Sequence, residues 1–239
     1  MLVRTPALVI SKLKYGEADI IARIFSRELG MHSYMVKGVL KSRKGKLRIA
    51  QFQPLTQVML ESDHKNKGSL EYLKNLQVDY PYETIDRDIY KSSIIMFFSE
   101  ILTQLLNEQP ADEELFDYLQ NAFKYLDQAD HISNFSIKVL LDLTAYFGFQ
   151  PQGELSGAYF NLIDGNFDND GLQPHHSTDI EASLLKAFIG MNFDKVEQIK
   201  MNREERSRLL NLLIDYFQIH LHAFKRPSSL DILKQLFDR

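Results

Sequence analysis

The feature that most constrains this chain is a change of hydrophobic period at Pro81. Before it, apolar residues come in short runs rich in β-branched and aromatic side chains, separated by turn residues. After it they recur every three or four residues. A strand turns successive side chains to opposite faces, whereas a 3.6-residue period lines one face of a helix. The pattern predicts an α+β protein: a β domain over residues 1–80 and an α-helical domain over residues 81–239.

Within the first part, Ala7–Lys12 and Ile20–Ser26 read as strands, Arg27-Glu28-Leu29-Gly30 as a turn, and Met31–Val36 as the return strand. Gln51–Glu61 and Leu70–Val78 supply two more. Pro54, which has no N–H, puts the start of the former at an edge or a bulge. Four or five short strands with no strong helix between most of them suggest a small closed barrel such as an OB-fold.

In the second part, Ile94, Phe97, Phe98, Ile101, Leu102 and Leu105 form one helical stripe. Leu115, Tyr118, Leu119, Ala122 and Leu126 form the next, with Asp112, Glu113 and Glu114 suited to its first turn. A third carries Ile137, Leu140, Leu141, Thr144 and Phe147 and stops at Gly148 and Pro151. These stripes read as core. Residues 151–177 interrupt the helices, and Tyr159–Ile163, Asp164-Gly165 and Asn166-Phe167 read as a tight hairpin. Thr178 with Glu181 and Asn202 with Glu205 have the spacing of capping boxes. The second opens a long helix through Leu210, Leu213, Phe217, Leu221 and Phe224 to Pro227, with a short helix over Ser228–Phe237.

Catalytic patterns are weak. Gly38 and Gly45 are seven apart and Lys46 is followed by Leu47, so no phosphate-cradling G-x4-G-K-[ST] loop is formed. No nucleophile elbow occurs, and with no cysteine neither a thiol nucleophile, a disulfide nor a thiolate metal site is available. Asp164, Asn166, Asp168 and Asp170 alternate like part of a calcium loop. The twelfth position is His175 or Ser177 rather than a bidentate Glu, so a turn with a solvated loop is the better reading. His175-His176 and His220-x-His222 lack metal-ligand spacing and read as loop and surface histidines. No cofactor, metal or catalytic role is expected. The first residues lack a signal-peptide core and no apolar run is long enough to span a membrane, so a cytoplasmic protein is expected.

The net charge of −4 conceals an asymmetry. Residues 1–79 hold 14 Lys and Arg against 7 Asp and Glu, and the remainder 14 against 25. Partner choice follows the local field, so the first part is suited to an anion. The charge peaks at Lys37-Gly38-Val39-Leu40-Lys41-Ser42-Arg43-Lys44-Gly45-Lys46-Leu47-Arg48, six cations and no acid. Such a stretch cannot enter a core, and a flexible cationic loop gains affinity for phosphates by counterion release. Candidate nucleic-acid contacts are therefore Lys37, Lys41, Ser42, Arg43, Lys44, Lys46 and Arg48, joined by Arg4 and Arg23. Tyr34 and Phe52 are expected to offer stacking surfaces. Charge alone leaves open a merely solvated loop, an OB-fold RNA-binding module, a protein adaptor, and, more distantly, an enzyme using scattered carboxylates.

Tyr15-Gly16-Glu17-Ala18-Asp19 before an apolar strand, then Phe25-Ser26-Arg27-Glu28-Leu29-Gly30, then Lys37-Gly38-Val39-x-Lys41-Ser42 and Gln53-Pro54 form an ordered series. Leu221 and Pro227-Ser228-Ser229-x-x-Ile232-Leu233 extend it more loosely to the C-terminus. In these residues the chain resembles the RecO family of bacterial recombination mediators. The resemblance implies an OB-fold DNA-binding domain followed by a helical domain, and a non-enzymatic, nucleoid-associated role. That role comprises binding single- and double-stranded DNA, annealing complementary strands, and working with RecR and RecF to load RecA on DNA coated by single-stranded-DNA-binding protein. It also implies that the helical domain docks that protein's acidic, Phe-ended tail. Such a tail needs a cation beside an apolar pocket. Lys200, Arg203, Arg206 and Arg208 form one basic cluster there and Lys225-Arg226 another; a solvated helix face is the alternative for each. Many family members carry a cysteine zinc module in this domain. Without cysteine it must be metal-free here, with Tyr159–Phe167 as its remnant hairpin.

Overall fold

A computed structural model describes residues 2–41, 47–64, 70–171 and 173–236. The chain divides into two compact units, Met1–Gln128 and Ala129–Arg239. The first begins with five strands: β1 (Leu2–Tyr15), β2 (Asp19–Ser26), β3 (Gly30–Val36), β4 (Gln57–Asp63) and β5 (Glu71–Tyr80). They close in the order β1-β2-β3-β5-β4. β1 is long enough to pair with β4 from Leu2 to Leu8 and with β2 from Ala7 to Tyr15, with a register shift between Val9 and Ser11. All pairs are antiparallel except β3–β5, where Tyr34 faces Glu71 and Met35 faces Tyr72. Closure removes exposed strand edges, and the five-stranded barrel has the OB-like architecture expected from the strand count. Its interior is filled by Val9, Ile20, Ala22, Ile24, Val36, Phe52, Val58 and Leu60, among others.

Two strand boundaries differ from expectation. β1 extends well beyond Ala7–Lys12 at both ends. Gln51 lies in a 3-10 turn, Ile49–Phe52, and β4 starts only at Gln57. Pro54 has no N–H to pair and Leu55 sits at φ +56, so the ladder forms beyond them. Leu55 is instead held locally, its N–H donating to the Val9 carbonyl at 2.6 Å.

The first unit continues with α1 (Ile89–Leu105) and α2 (Glu113–Gln128). Asp88 and Asp112 accept backbone N–H groups in their first turns, as helix starts require. The β5–α1 connection is fixed by Asp127, whose carboxylate accepts the N–H groups of Glu83, Thr84 and Ile85 at 2.9–3.1 Å. These bonds hold the Asp127 carboxyl below the usual range even though burial opposes them.

The second unit comprises α3 (Phe135–Tyr146), the hairpin β6 (Tyr159–Asn161) and β7 (Asn166–Asp168), α4 (Asp179–Phe188), α5 (Phe193–Val196), α6 (Arg203–His220) and α7 (Ser229–Leu236). The predicted stop after α3 is a Schellman-type cap. Gly148 lies at φ +80, its N–H donates to Ala145, and that of Phe149 to Thr144. Both capping boxes form, Thr178 with Glu181 and Asn202 with Glu205. α6 ends at His220 rather than at Pro227, because Leu221 is already extended; Phe224 still buries against Phe217.

Two of the four histidines expected in loops and at the surface are only partly exposed and have partners. The His176 side chain is 5% exposed and its Nε2 meets Asp168 at 3.0 Å. His220 meets the Leu162 carbonyl at 2.8 Å and stacks parallel on Phe149. Among the described residues no helix is long and apolar enough to cross a membrane. No group of three His, Asp or Glu among them is arranged to hold a metal ion.

Candidate nucleic-acid interface

The cationic segment leaves β3 at the end of the barrel where β1 turns into β2. Both turns need a left-handed residue, supplied by Gly16 (φ +61) and Gly38 (φ +70). The two turns are fastened together. Asp19 Oδ1 accepts the Gly38 N–H at 2.7 Å, and the Leu40 N–H donates to the Ala18 carbonyl at 2.9 Å. Lys41 Nζ reaches Glu17 at 2.8 Å. Glu17 and Lys41 are both largely exposed, so this ion pair adds little stability, and a phosphate can replace the carboxylate.

Lys37, Lys41 and Arg48 are exposed at this end of the barrel. Arg48 caps the 3-10 turn, its N–H donating to Gln51 Oε1 at 2.7 Å. Ser42, Arg43, Lys44 and Lys46 lie outside the described residues. Arg4 is exposed on the β1–β4 side, opposite Glu61.

Three expected contacts are placed elsewhere by packing. Arg23 is tied to α1, donating to the Thr103 carbonyl at 3.2 Å and Asn107 Oδ1 at 3.1 Å. It acts as a strut on the helix C-terminus, where a cation complements the dipole, and burial lowers its pKa. Tyr34 and Phe52 are fully buried in the barrel and present no face for a base. Burial, and secondarily the charge of Glu71, raises the Tyr34 pKa.

Two exposed aromatics lie on the barrel, Tyr15 at the end of β1 and Tyr72, and neither was singled out by the sequence as a stacking group. Tyr72, at the start of β5, is 53% exposed, and Lys37 Nζ lies 5.3 Å from its ring centre. Alternation in β5 signals an outward Tyr72, but its neighbours follow from register across four strands. Leu13 faces Ile21, Ile21 faces Met35, and Met35 faces Tyr72.

In the second unit, Arg203 is exposed in the first turn of α6, and Lys225 and Arg226 are exposed after it. Arg206 is instead half-buried, its guanidinium donating to Asn134 Oδ1 and the Met201 carbonyl. Burial lowers its pKa, and it serves to hold the start of α6. Arg226 donates to Asp215 at 2.8 Å and also bonds Asn211.

Two family models match the chain: "Recombination protein O N terminal" over residues 1–82 and "Recombination protein O C terminal" over residues 86–230. Proteins named DNA repair protein RecO are similar along their whole length. The one from Christiangramia forsetii is 40% identical over 238 residues, covering 99% of this chain and 100% of the relative. That from Flavobacterium johnsoniae is 40% identical over 242 residues, with the same coverage. That from Phocaeicola vulgatus is 34% identical over 243 residues, again 99% and 100%.

Proposed function

The chain belongs to the RecO family of DNA repair proteins, and on that premise we propose that it is a DNA-binding recombination mediator without catalytic chemistry of its own. Residues 1–80 form its DNA-binding domain and residues 81–239 its helical domain. It binds single- and double-stranded DNA and anneals complementary strands. With RecR, and RecF, it helps load RecA on DNA coated by single-stranded-DNA-binding protein, in the cytoplasm at the nucleoid.

The observation that carries this reading is the fastening of the Lys37–Lys41 turn to the β1–β2 turn. Asp19 and the Ala18 carbonyl hold the start of the cationic segment at the barrel end, so Lys37 and Lys41 are presented from a fixed scaffold. Lys37, Lys41, Arg43, Lys44, Lys46 and Arg48 meet phosphates of either DNA form. Annealing follows physically: a cationic surface screens two phosphate backbones while their bases stay available to pair. Arg203, Lys225 and Arg226 are the exposed cations offered to an acidic tail on the helical unit, with Arg206 positioning α6 behind them.

The test is a titration of labelled single-stranded DNA, duplex DNA and single-stranded RNA over a salt series. A stopped-flow annealing assay at low salt accompanies it. The reading expects DNA binding that weakens steeply with salt, and faster annealing. Preference for RNA favours the alternative of an OB-fold RNA module, in which 2′-hydroxyl contacts discriminate. DNA binding without faster annealing removes the annealing function.

A further inference from the structure

The two turns at one end of the barrel carry opposite charges at matching positions. Glu17 immediately precedes Ala18 in the β1–β2 turn, and Lys41 immediately follows Leu40 in the turn that leaves β3. The Leu40 N–H donates to the Ala18 carbonyl at 2.9 Å, and Asp19 accepts the Gly38 N–H at 2.7 Å. These bonds bring Glu17 and Lys41 together by backbone, independently of their own attraction. The Lys41 ammonium then donates to the Glu17 carboxylate at 2.8 Å.

Stability is a poor reason for this pair. Its side chains are 88% and 64% exposed, and ion pairs so open to water add little. The neighbouring acid is held differently: Asp19 is half-buried and engaged by a backbone N–H. Glu17 is free to swing away from Lys41, yet its backbone stays beside the cation.

A carboxylate and a phosphate offer an ammonium the same thing, an anionic oxygen at hydrogen-bond distance. A phosphate arriving at Lys41 must therefore displace Glu17. The fastened turns keep the displaced carboxylate close to the phosphate, and like charges at short range repel. Capture of a phosphate costs the ion pair and adds a repulsion. Release is met by a carboxylate ready to take the ammonium back.

We propose that Glu17 is a built-in competitor for the phosphate site at Lys41, lowering the affinity for DNA and speeding its release. This rests on the DNA-binding reading above and adds an exchange step to it. A mediator has to give up the strand it holds, and exchange of phosphate for carboxylate does so without leaving a bare ammonium.

Glu17→Gln keeps the size of the side chain and removes its charge. Its affinity for a labelled single strand is measured by anisotropy beside the unaltered protein, Lys41→Ala and the double variant. Dissociation is followed after adding excess unlabelled strand. Glu17→Gln is expected to bind about two- to fivefold more tightly, mostly through slower dissociation. The slope of log affinity against log salt is expected to steepen by up to about 0.9. In the Lys41→Ala background the same substitution should gain less than half as much, because no site is left to contest. Equal gains in both backgrounds assign the effect to the general field of one lost acid and overturn the competition. Unchanged binding by Glu17→Gln overturns it too, and so does weaker binding, which would make Glu17 a positioning residue for Lys41. In all three results the unaltered protein still binds and the DNA-binding reading stands. Failure of the unaltered protein to bind overturns both.

Discussion

Asp19 accepts the backbone N–H of Gly38 at 2.7 Å, and this bond joins the two segments most characteristic of the chain, Tyr15–Asp19 and Lys37–Ser42. They lie about twenty residues apart in sequence, and Tyr15–Asp19 meets Lys37–Lys41 at one end of the barrel. The carboxylate fixes where the cationic segment starts and in which direction it leaves.

Asp19→Ala should therefore weaken DNA binding several-fold, because the cations lose their fixed origin. It should also lower stability by about 1 kcal/mol, the scale of one partly exposed charge-assisted bond. Asp19→Asn keeps the accepting oxygen and should retain most of both. Anisotropy titration and thermal denaturation distinguish them; equal behaviour of Asn and Ala would remove the role assigned to the bond.

Replacing Lys41, Arg43, Lys44 and Lys46 together by Ala should flatten the dependence of log affinity on log salt by roughly 3–4 units if all four meet phosphates. The barrel should keep its melting temperature, since the segment's core residues, Val39 and Leu47, are left in place. An unchanged slope would show that DNA is held elsewhere.

The Tyr34 hydroxyl is buried in the barrel and has no hydrogen-bond partner among the described residues. A buried hydroxyl without a partner costs about 1–3 kcal/mol, so Tyr34→Phe should raise stability by about 1 kcal/mol. DNA affinity should not change. Tyr34→Ala, which opens a ring-sized cavity, should cost about 3–5 kcal/mol. A loss of DNA affinity in the stable Phe variant would restore Tyr34 as a contact.

The His176–Asp168 pair should make the hairpin sensitive to pH. Asp168 raises the His176 pKa above its ordinary value, against burial, and His176 lowers that of Asp168. The histidine contribution is fully present below its unfolded pKa of about 6.5 and is lost as pH rises through the higher folded value. The aspartate contribution is present above about pH 4 and is lost as pH falls through its lower folded value. Hydrogen exchange of residues 159–168 should thus be slowest between about pH 4 and 6.5, after correction for intrinsic exchange, and faster near pH 8. Asp168→Asn should remove that difference; if it persists, another group is responsible.

The division into a β part and a helical part, the capping boxes, the Gly148 stop and the 159–168 hairpin were all legible in the sequence. Each depends on residues close along the chain: a period, a cap three residues from its partner, a glycine at a left-handed position. The exposure of Lys37, Lys41 and Arg48 was legible too, because cations without a nearby acid stay in solvent. What failed were judgements about single side chains. Tyr34 and Phe52 looked like stacking groups beside a basic segment, but strand parity and the 3-10 turn direct them into the barrel. Arg23 looked like a DNA contact, yet the end of α1, eighty residues on, takes its guanidinium. Tyr72 lies beside Met35 only because β3 runs parallel to β5, a pairing between segments separated by the whole β4 excursion. Local propensity sets which elements form. Burial and cross-strand register, fixed only when the barrel closes, decide which side chains are left for a partner.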